Sequence, residues 1–275
     1  MNLREETEFL LKNNGLKANK KLGQNFLINE EIIEQIIKKA DVNKDDVIIE
    51  IGPGLGSLTA KLLENAKKVI AIELDSNMVN ILKTRFSLYD NFELIENDVL
   101  KVDLNEIVNQ YDSVKVVANL PYYITTPIVM KLLEDKLNLK SITVMVQKEV
   151  GERFCAIPGG KEYGAITISI NYYTIPKIII DVPKENFNPI PEVDSCVINL
   201  EIREKPPVNI TNEKKFFGLI KSAFSQRRKT INNSLTGVGK SKEEIKNILD
   251  YLNISTNLRA ENLSIEQFAD IANSI

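Results

Sequence analysis

The stretch Val47–Gly56, VIIEIGPGLG, determines the fold class of this chain. Its first half is a short β-branched run, typical of a strand, and its second half carries a glycine at every other position. A helical pattern from Ser57 to Glu64 follows, and a second strand is predicted at Lys68–Ile72. A strand, a glycine turn, a helix and another strand form a βαβ unit, so the two strands are expected to lie parallel in one sheet.

The alternation of strands and helices extends beyond this unit. An amphipathic helix is predicted before the first strand, from a cap at Asn29 to Ala40. Further strands are predicted at Phe92–Ile95, Val114–Ala118, Ile142–Val146, Ala165–Tyr173, Lys177–Val182 and Val193–Ile202. The last three follow one another directly, which indicates antiparallel additions at one sheet edge. The expected fold class is α/β, an open, mainly parallel sheet with helices on both faces.

The segment Lys205-Pro206-Pro207 interrupts this pattern, because two adjacent prolines cannot continue a strand. Beyond it, apolar residues recur at helical spacing without strand-like alternation. The chain is therefore predicted to divide into a sheet-containing domain, residues 1–205, and a small all-helical domain, residues 206–275.

Composition narrows the possible chemistry. The 275 residues are 43% hydrophobic, enough for a full core, and no apolar run approaches the roughly 18 residues that span a bilayer. The charged start of the chain does not resemble an export signal, so a cytoplasmic protein without membrane contact is expected. The two cysteines, Cys155 and Cys196, are far apart, and histidine is absent. We therefore expect no metal, and chemistry that uses amides, carboxylates, hydroxyls or a cofactor.

Basic residues are clustered although the net charge is -3. One cluster contains Lys12, Lys17, Lys20 and Lys21, and a second contains Lys214, Lys215, Lys221, Arg227, Arg228 and Lys229. Local basic surfaces on a mildly acidic protein favour contacts with RNA phosphates, and solvated helix faces are the alternative.

The glycine turn predicts a ligand site. Its Gly-x-Gly-x-Gly spacing at Gly52, Gly54 and Gly56 differs from the dinucleotide fingerprint, and no Lys-Ser/Thr pair of a nucleoside triphosphate loop is present. A ligand without a pyrophosphate is favoured, and a structural turn without a ligand is the alternative.

Two acids extend this site along the predicted sheet edge. Glu73 ends the second strand, where a carboxylate can accept bonds from ribose hydroxyls, and Asp98 follows the third strand, where it can accept from an adenine amino group. Each acid alone is more often an exposed loop carboxylate. Together with the glycine turn they occupy the ends of three successive strands, which favours a ligand with a nucleoside at one end.

A further motif, Asn119-Leu120-Pro121-Tyr122, follows the apolar strand at Val114–Ala118. An amide oxygen and a peptide carbonyl on one tight turn can grip the exocyclic amino group of a flat base, and the Tyr122 ring can cover the base. Methylation of an aromatic amine needs this geometry. A base that leaves its stack could be held between Tyr122 and Phe187, although core packing is the alternative for Phe187.

With these motifs in order, the chain resembles the KsgA family of ribosomal RNA adenine dimethyltransferases. The matching segments are Gly23–Leu27, the glycine turn, Asn119–Tyr122, Phe187–Ser195 and Ala223–Thr230. The resemblance implies a Rossmann-like class I methyltransferase fold, with a mixed, mainly parallel sheet of seven strands and a small helical C-terminal domain. It also implies dimethylation of N6 on two adjacent adenosines in a hairpin near the 3′ end of the RNA in the small ribosomal subunit. Nothing in the sequence suggests more than a monomer, so a monomer is expected.

The resemblance assigns roles to individual residues. The S-adenosylmethionine pocket would be lined by Gln24, Asn25, Leu27, Gly52, Gly54, Glu73, Asp98 and Asn119. The reacting base would contact Asn119, Leu120, Tyr122 and Phe187. RNA phosphates would contact Lys20, Lys21, Arg227, Arg228 and Lys229.

Three alternatives stay open at this point. An Erm-type large-subunit RNA methyltransferase is the nearest, although that branch tends to carry isoleucine where this chain has Leu120. A DNA adenine methyltransferase commonly has two prolines in this turn, and Leu120 replaces the first. The protein could also act mainly as an assembly factor for the small subunit.

Overall fold

The computed structural model describes residues 1–19, 23–226 and 228–275, and the chain divides into two compact units. Unit 1 consists of Met1–Gly151 and Lys177–Ile202, and unit 2 of Glu152–Pro176 and Arg203–Ile275. The change of unit after Ile202 lies close to the boundary expected at residue 205, but unit 2 also takes in an earlier segment. The division into domains 1–205 and 206–275 stays a prediction.

Nine strands are present in the described residues. They are β1 (Phe26–Leu27), β2 (Val47–Ile51), β3 (Lys68–Glu73), β4 (Phe92–Glu96), β5 (Val114–Asn119), β6 (Ser141–Gln147), β7 (Thr174–Val182), β8 (Phe187–Asn188) and β9 (Ser195–Ile202). Seven of them form one sheet in the order β4-β3-β2-β5-β6-β9-β7, and β1 pairs with β8 in a separate two-stranded sheet.

The main sheet is mixed and mainly parallel, as the sequence predicted. The pairs β4/β3, β3/β2, β2/β5 and β5/β6 are parallel, and β9 lies antiparallel to β6. Every residue of β2 is buried, because helices cover both faces of a doubly wound sheet. The carboxyl ends of β2, β3, β4 and β5 therefore lie along one edge, where the predicted ligand residues follow.

Twelve α-helices accompany the strands in the described residues. They are α1 (Leu3–Asn13), α2 (Glu30–Lys39), α3 (Ser57–Asn65), α4 (Ser76–Arg85), α5 (Leu104–Val108), α6 (Thr125–Glu134), α7 (Lys148–Phe154), α8 (Ala165–Tyr173), α9 (Glu213–Phe224), α10 (Ile231–Ser234), α11 (Lys242–Tyr251) and α12 (Ile265–Ser274). Within the described part of the chain, none is long and apolar enough to cross a membrane.

The helix expected before the first strand is confirmed as α2. The Asn29 side chain accepts a hydrogen bond from the backbone N–H of Ile32, which caps the helix at the predicted residue. Its isoleucines at helical spacing are buried in the unit 1 core, where each contributes about 2 kcal/mol. The helical spacing of the isoleucines was sufficient to predict α2, because they make one face of the helix entirely apolar.

The strand predicted at Ala165–Tyr173 is wrong, since this segment is the helix α8. Its alternating isoleucines favour a strand locally. In the structure, Thr167 instead caps the helix by accepting from Gly164 N–H and donating to the Arg153 carbonyl, at 3.1 and 2.7 Å. The Tyr172 ring packs against Phe216 in the core of unit 2, with 5.6 Å between ring centroids. Tertiary packing thus outweighs the local β preference.

The helix α1 was not predicted from the sequence. Asn2 and Glu5 form a reciprocal capping box at its start. Glu6 forms an ion pair with Arg85 of α4, and Arg85 also donates to the Leu55 carbonyl at 2.9 Å. These contacts attach the first helix to the glycine turn within unit 1.

Candidate active site

A pocket opens within unit 1 at the carboxyl ends of β2 to β5. It brings together every described residue that was assigned to the donor, and three of the four from the predicted base site, of which Asn119 belongs to both sets. These lining residues are Gln24, Asn25, Leu27, Gly52, Gly54, Glu73, Asp98, Asn119, Leu120 and Tyr122. They come from four separate strand ends, from β1 and from the segment before it, so the fold collects them from nearly one hundred residues of chain.

The glycine turn needs its glycines for two different reasons. Gly54 has φ 58° and donates its N–H to Glu73 Oε2 at 3.1 Å, so the turn is tied to the end of β3. Gly56 has φ 84°, and a Cβ there would lie 2.6 Å from the Phe86 ring. The left-handed conformation and the close approach of α4 both exclude a side chain at Gly56.

Glu73 is held by the backbone at the end of β3. Besides Gly54, the N–H groups of Leu74 and Asp75 donate to Glu73 Oε1, both at 2.8 Å. Burial raises the pKa of Glu73, and the three backbone donors oppose this shift. The carboxylate is thereby fixed on the pocket wall with lone pairs left to accept further bonds.

Glu50 also lines the pocket, although it was not predicted as a site residue. Its side chain is 1% exposed, and among the described residues no hydrogen-bond partner lies at Oε2. Burial raises the pKa of Glu50 to about 8; the nearby Thr59 hydroxyl lowers it and the negative charge of Glu73 raises it further. The signal in the sequence was a carboxyl group inside the otherwise apolar run VIIEI.

The turn after β5 presents backbone and amide groups to the pocket. Asn119 Nδ2 donates to the Asn25 carbonyl at 3.3 Å, which directs Oδ1 to the other side of the amide. The Leu120 side chain is buried and its N–H donates to Met145, so this residue can serve a ligand only through its carbonyl. The Pro121 carbonyl accepts from Ile124 N–H and the Thr125 hydroxyl, which closes the turn.

Tyr122 is anchored by the start of β9. Its hydroxyl lies 2.6 Å from the Ser195 hydroxyl, the first residue of that strand. Burial raises the pKa of Tyr122, so the phenol is neutral at physiological pH. The ring is a fixed wall of the pocket.

Two further polar side chains of the pocket are held in place, Gln24 before β1 and Asp98 after β4. Gln24 donates from Nε2 to Asp75 Oδ2 at 2.9 Å and accepts at Oε1 from Asn19 N–H at 2.8 Å. On β4's side of the pocket, the Asp98 carboxylate accepts from Leu100 N–H at 3.0 Å and lies 3.8 Å from the Lys101 ammonium.

Among the described residues of unit 1 with a predicted role, Phe187 does not line this pocket. Phe187 is 0% exposed and lies in the unit 1 core, where β8 pairs it with Leu27. Its packing is that of the core alternative, and a role beside the base stays a prediction that requires the ring to leave the core. Arg228 and Lys229 are exposed in unit 2. Lys20, Lys21 and Arg227 lie outside the described residues.

The strand order of the main sheet and the pocket at the carboxyl ends of β2 to β5 define a Rossmann-like class I methyltransferase. The family model for the ribosomal RNA adenine dimethylases matches residues 15–275. The chain belongs to this family and is a methyltransferase enzyme.

Relatives in sequence extend over almost the whole chain. The chain is 49% identical over 259 residues to ribosomal RNA small subunit methyltransferase A of Clostridium botulinum, covering 94% of each protein. It is 47% identical over 269 residues to the protein of that name from Clostridium acetobutylicum, covering 98% of each.

Solved structures agree on the fold. A dimethyladenosine transferase from Plasmodium falciparum superposes with a TM-score of 0.76 at 30% identity, covering 88% of this chain and 94% of that one. The 23S rRNA methyltransferase ErmE superposes with a TM-score of 0.71 at 23% identity, covering 91% and 99%, and this likeness concerns the fold alone.

Proposed function

We propose that this protein transfers methyl groups from S-adenosylmethionine to N6 of two adjacent adenosines in the hairpin near the 3′ end of small-subunit ribosomal RNA. It acts as a monomer in the cytoplasm on RNA within the small subunit. The observation that carries this proposal is the placement of the Asn119 turn and the acids Glu50 and Glu73 on one pocket.

The residues of the pocket fit the donor. S-adenosylmethionine supplies an electrophilic methyl group on a positively charged sulfur. Glu73 would accept from the ribose hydroxyls, since both its oxygens are already fixed by backbone N–H groups. Asp98 would accept from the donor's adenine amino group. Glu50 Oε2, which has no hydrogen-bond partner among the described residues, suits a hydrogen-bond donor or a positive charge at the amino-acid end of the molecule.

The Asn119 turn fits the acceptor. The lone pair of an adenine amino group is delocalised into the ring, which makes the nitrogen a poor nucleophile. Hydrogen bonds from its N–H groups to Asn119 Oδ1 and the Leu120 carbonyl would favour a pyramidal nitrogen with an available lone pair. Attack leaves an acidic ammonium whose proton passes to water, so no histidine is needed. Alignment of the two reactants supplies much of the rate increase.

The substrate assignment is supported by relatives at 47% and 49% identity that are named for the small subunit. The ErmE structure, at 23% identity, supports only a shared fold. The small-subunit RNA is therefore the acceptor that we propose over the large-subunit RNA or duplex DNA.

Product mass tests the proposal. Purified protein is incubated with labelled donor and unmodified small subunits, large subunits or duplex DNA, and the nucleic acid is digested and weighed. We expect two dimethyladenosines in the small-subunit RNA alone. Methylation confined to either of the other two acceptors would contradict the proposal.

A further inference from the structure

Tyr123 is an exposed aromatic residue on the lining of the pocket. Its side chain is 54% exposed. Of the described lining residues, three are exposed, namely Leu74, Asn97 and Tyr123, and only Tyr123 is aromatic. An isolated exposed apolar residue needs no explanation, but an aromatic ring at the edge of a pocket offers a flat surface to a ligand.

The position of Tyr123 in the sheet assigns it to the acceptor side. Leu74 and Asn97 follow β3 and β4, the strands that end beside the proposed donor residues. Tyr123 follows β5, as Asn119 does, and β5 lies on the opposite side of β2 from β3. The exposed ring therefore belongs to the half of the pocket where the base would react.

The local backbone separates Tyr123 from its neighbour Tyr122. Both lie in the 3₁₀ turn Tyr122–Ile124, in which successive side chains point about 120° apart. Tyr122 turns inward to Ser195, whereas Tyr123 backs onto Gly23, where a Cβ would lie 3.4 Å from its ring. The Gly23 main chain covers one side of the Tyr123 ring, and the rest of the ring is open to solvent.

We propose that Tyr123 is a positioning residue that stacks on the base next to the target adenine. This inference rests on the proposed function. When one adenosine leaves the stack to enter the pocket, its neighbour loses a stacking partner, and the Tyr123 ring replaces it.

Kinetics of Tyr123 variants test this role. We expect Tyr123→Ala to raise KM for small-subunit RNA about 10-fold, equivalent to about 1.4 kcal/mol, with kcat and donor affinity unchanged. Tyr123→Phe keeps the ring and should retain the wild-type KM. Leu88→Ala, at a side chain that is 93% exposed and outside the pocket lining, is the matched control and should also leave KM unchanged.

Fluorescence provides a readout that a merely structural role would not change. The neighbouring adenine is replaced by 2-aminopurine, whose emission falls when it stacks. Because the Tyr123 ring would replace the stacking partner that the flipped adenine takes away, emission is expected to stay low on binding to wild type and Tyr123→Phe and to rise on binding to Tyr123→Ala. Should the alanine variant be unstable, Tyr123→Leu keeps bulk without an aromatic face and should show the same rise.

The two proposals fail in different ways. A wild-type KM and emission that stays low on binding to the alanine or leucine variant would overturn the role of Tyr123 while methylation of the small subunit continues. Absence of that methylation in the wild-type protein would instead remove the proposed function.

Discussion

At the scale of single residues, Asn119 is the side chain on which the proposed chemistry depends most. It lies at the end of β5, and its amide is oriented by the bond to the Asn25 carbonyl. A strand end fixes the backbone, and the Asn25 contact fixes the side chain. Orientation of this kind is what a pre-organised hydrogen-bond acceptor requires.

We predict that Asn119→Ala lowers kcat by about 100-fold, because the reacting nitrogen loses an oriented acceptor. The effect on folding should be small, since the side chain makes one 3.3 Å bond to the main chain. The rate of methyl transfer is measured with labelled donor in single-turnover reactions. Thermal unfolding of the variant checks that its stability is unchanged. A variant that transfers methyl at the wild-type rate would remove Asn119 from the chemistry.

Glu50 makes stability depend on pH. Its folded-state pKa of about 8 lies above the ordinary 4.5, so the folded protein retains a proton that the unfolded chain loses. The raised pKa of Glu50 lowers the free energy of unfolding. This destabilisation is absent below pH 4.5, grows as the pH rises and is complete above about pH 8. Over this window it amounts to about 5 kcal/mol.

We predict that Glu50→Gln, which cannot ionise, gains stability relative to wild type as pH rises through this window. Urea unfolding at about pH 5, 6.5 and 8.5, without donor, gives the difference in unfolding free energy at each pH. Thr143→Val, at a buried polar residue of β6, controls for the general effect of pH. A difference between Glu50→Gln and wild type that stays constant with pH would show that Glu50 is ionised at the same pH in both states.

At the scale of elements, the junction of the glycine turn with α3 depends on the absence of a side chain. Gly56 precedes the first residue of α3 and faces Phe86 and Leu82 at the end of α4. The turn therefore fixes the distance between two helices as well as the shape of the pocket.

We predict that Gly56→Ala destabilises the protein by about 3 kcal/mol, from left-handed strain and overpacking together. Gly239→Ala is the control, because Gly239 has the same φ of 84° and a methyl group added there would meet nothing within 4 Å. Gly239→Ala should therefore lose only about 1 kcal/mol of stability, from the left-handed strain without overpacking. Equal unfolding free energies for the two variants would show that α4 moves aside.

The elements also show where local pattern was sufficient. The helix α2 and strand β2 follow from one apolar face and one β-branched run. The segment that became α8 carried strand-like alternation, and Thr167 and Tyr172 determined its structure through contacts with Arg153 and Phe216. Those partners are distant in sequence, so no local pattern could include them.

At the scale of the whole molecule, the basic clusters are proposed to bind RNA phosphates. Arg228 and Lys229 lie just after α9, and both side chains are exposed to solvent. On a chain with net charge -3, such local clusters would act by releasing counterions from the RNA.

We predict that reversing both charges, Arg228→Glu with Lys229→Glu, weakens RNA binding and reduces the salt slope of log K by about 2. Filter binding at several salt concentrations measures both. Reversal of Lys242 and Lys246, exposed residues of α11, makes the same charge change elsewhere and should have a smaller effect. Equal losses in the two double variants would indicate a general effect of net charge.

The parallel sheet, the glycine turn and the strand ends that carry Glu73, Asp98 and Asn119 were predictable from the amino-acid sequence. These features are local, because β-branched runs and glycines act on their own backbone. Packing between distant segments, in contrast, buries Phe187 in the core, leaves Glu50 Oε2 buried without a partner among the described residues, and makes Ala165–Tyr173 helical. Burial and partnership depend on residues far away in the chain, and a linear pattern does not contain those distances.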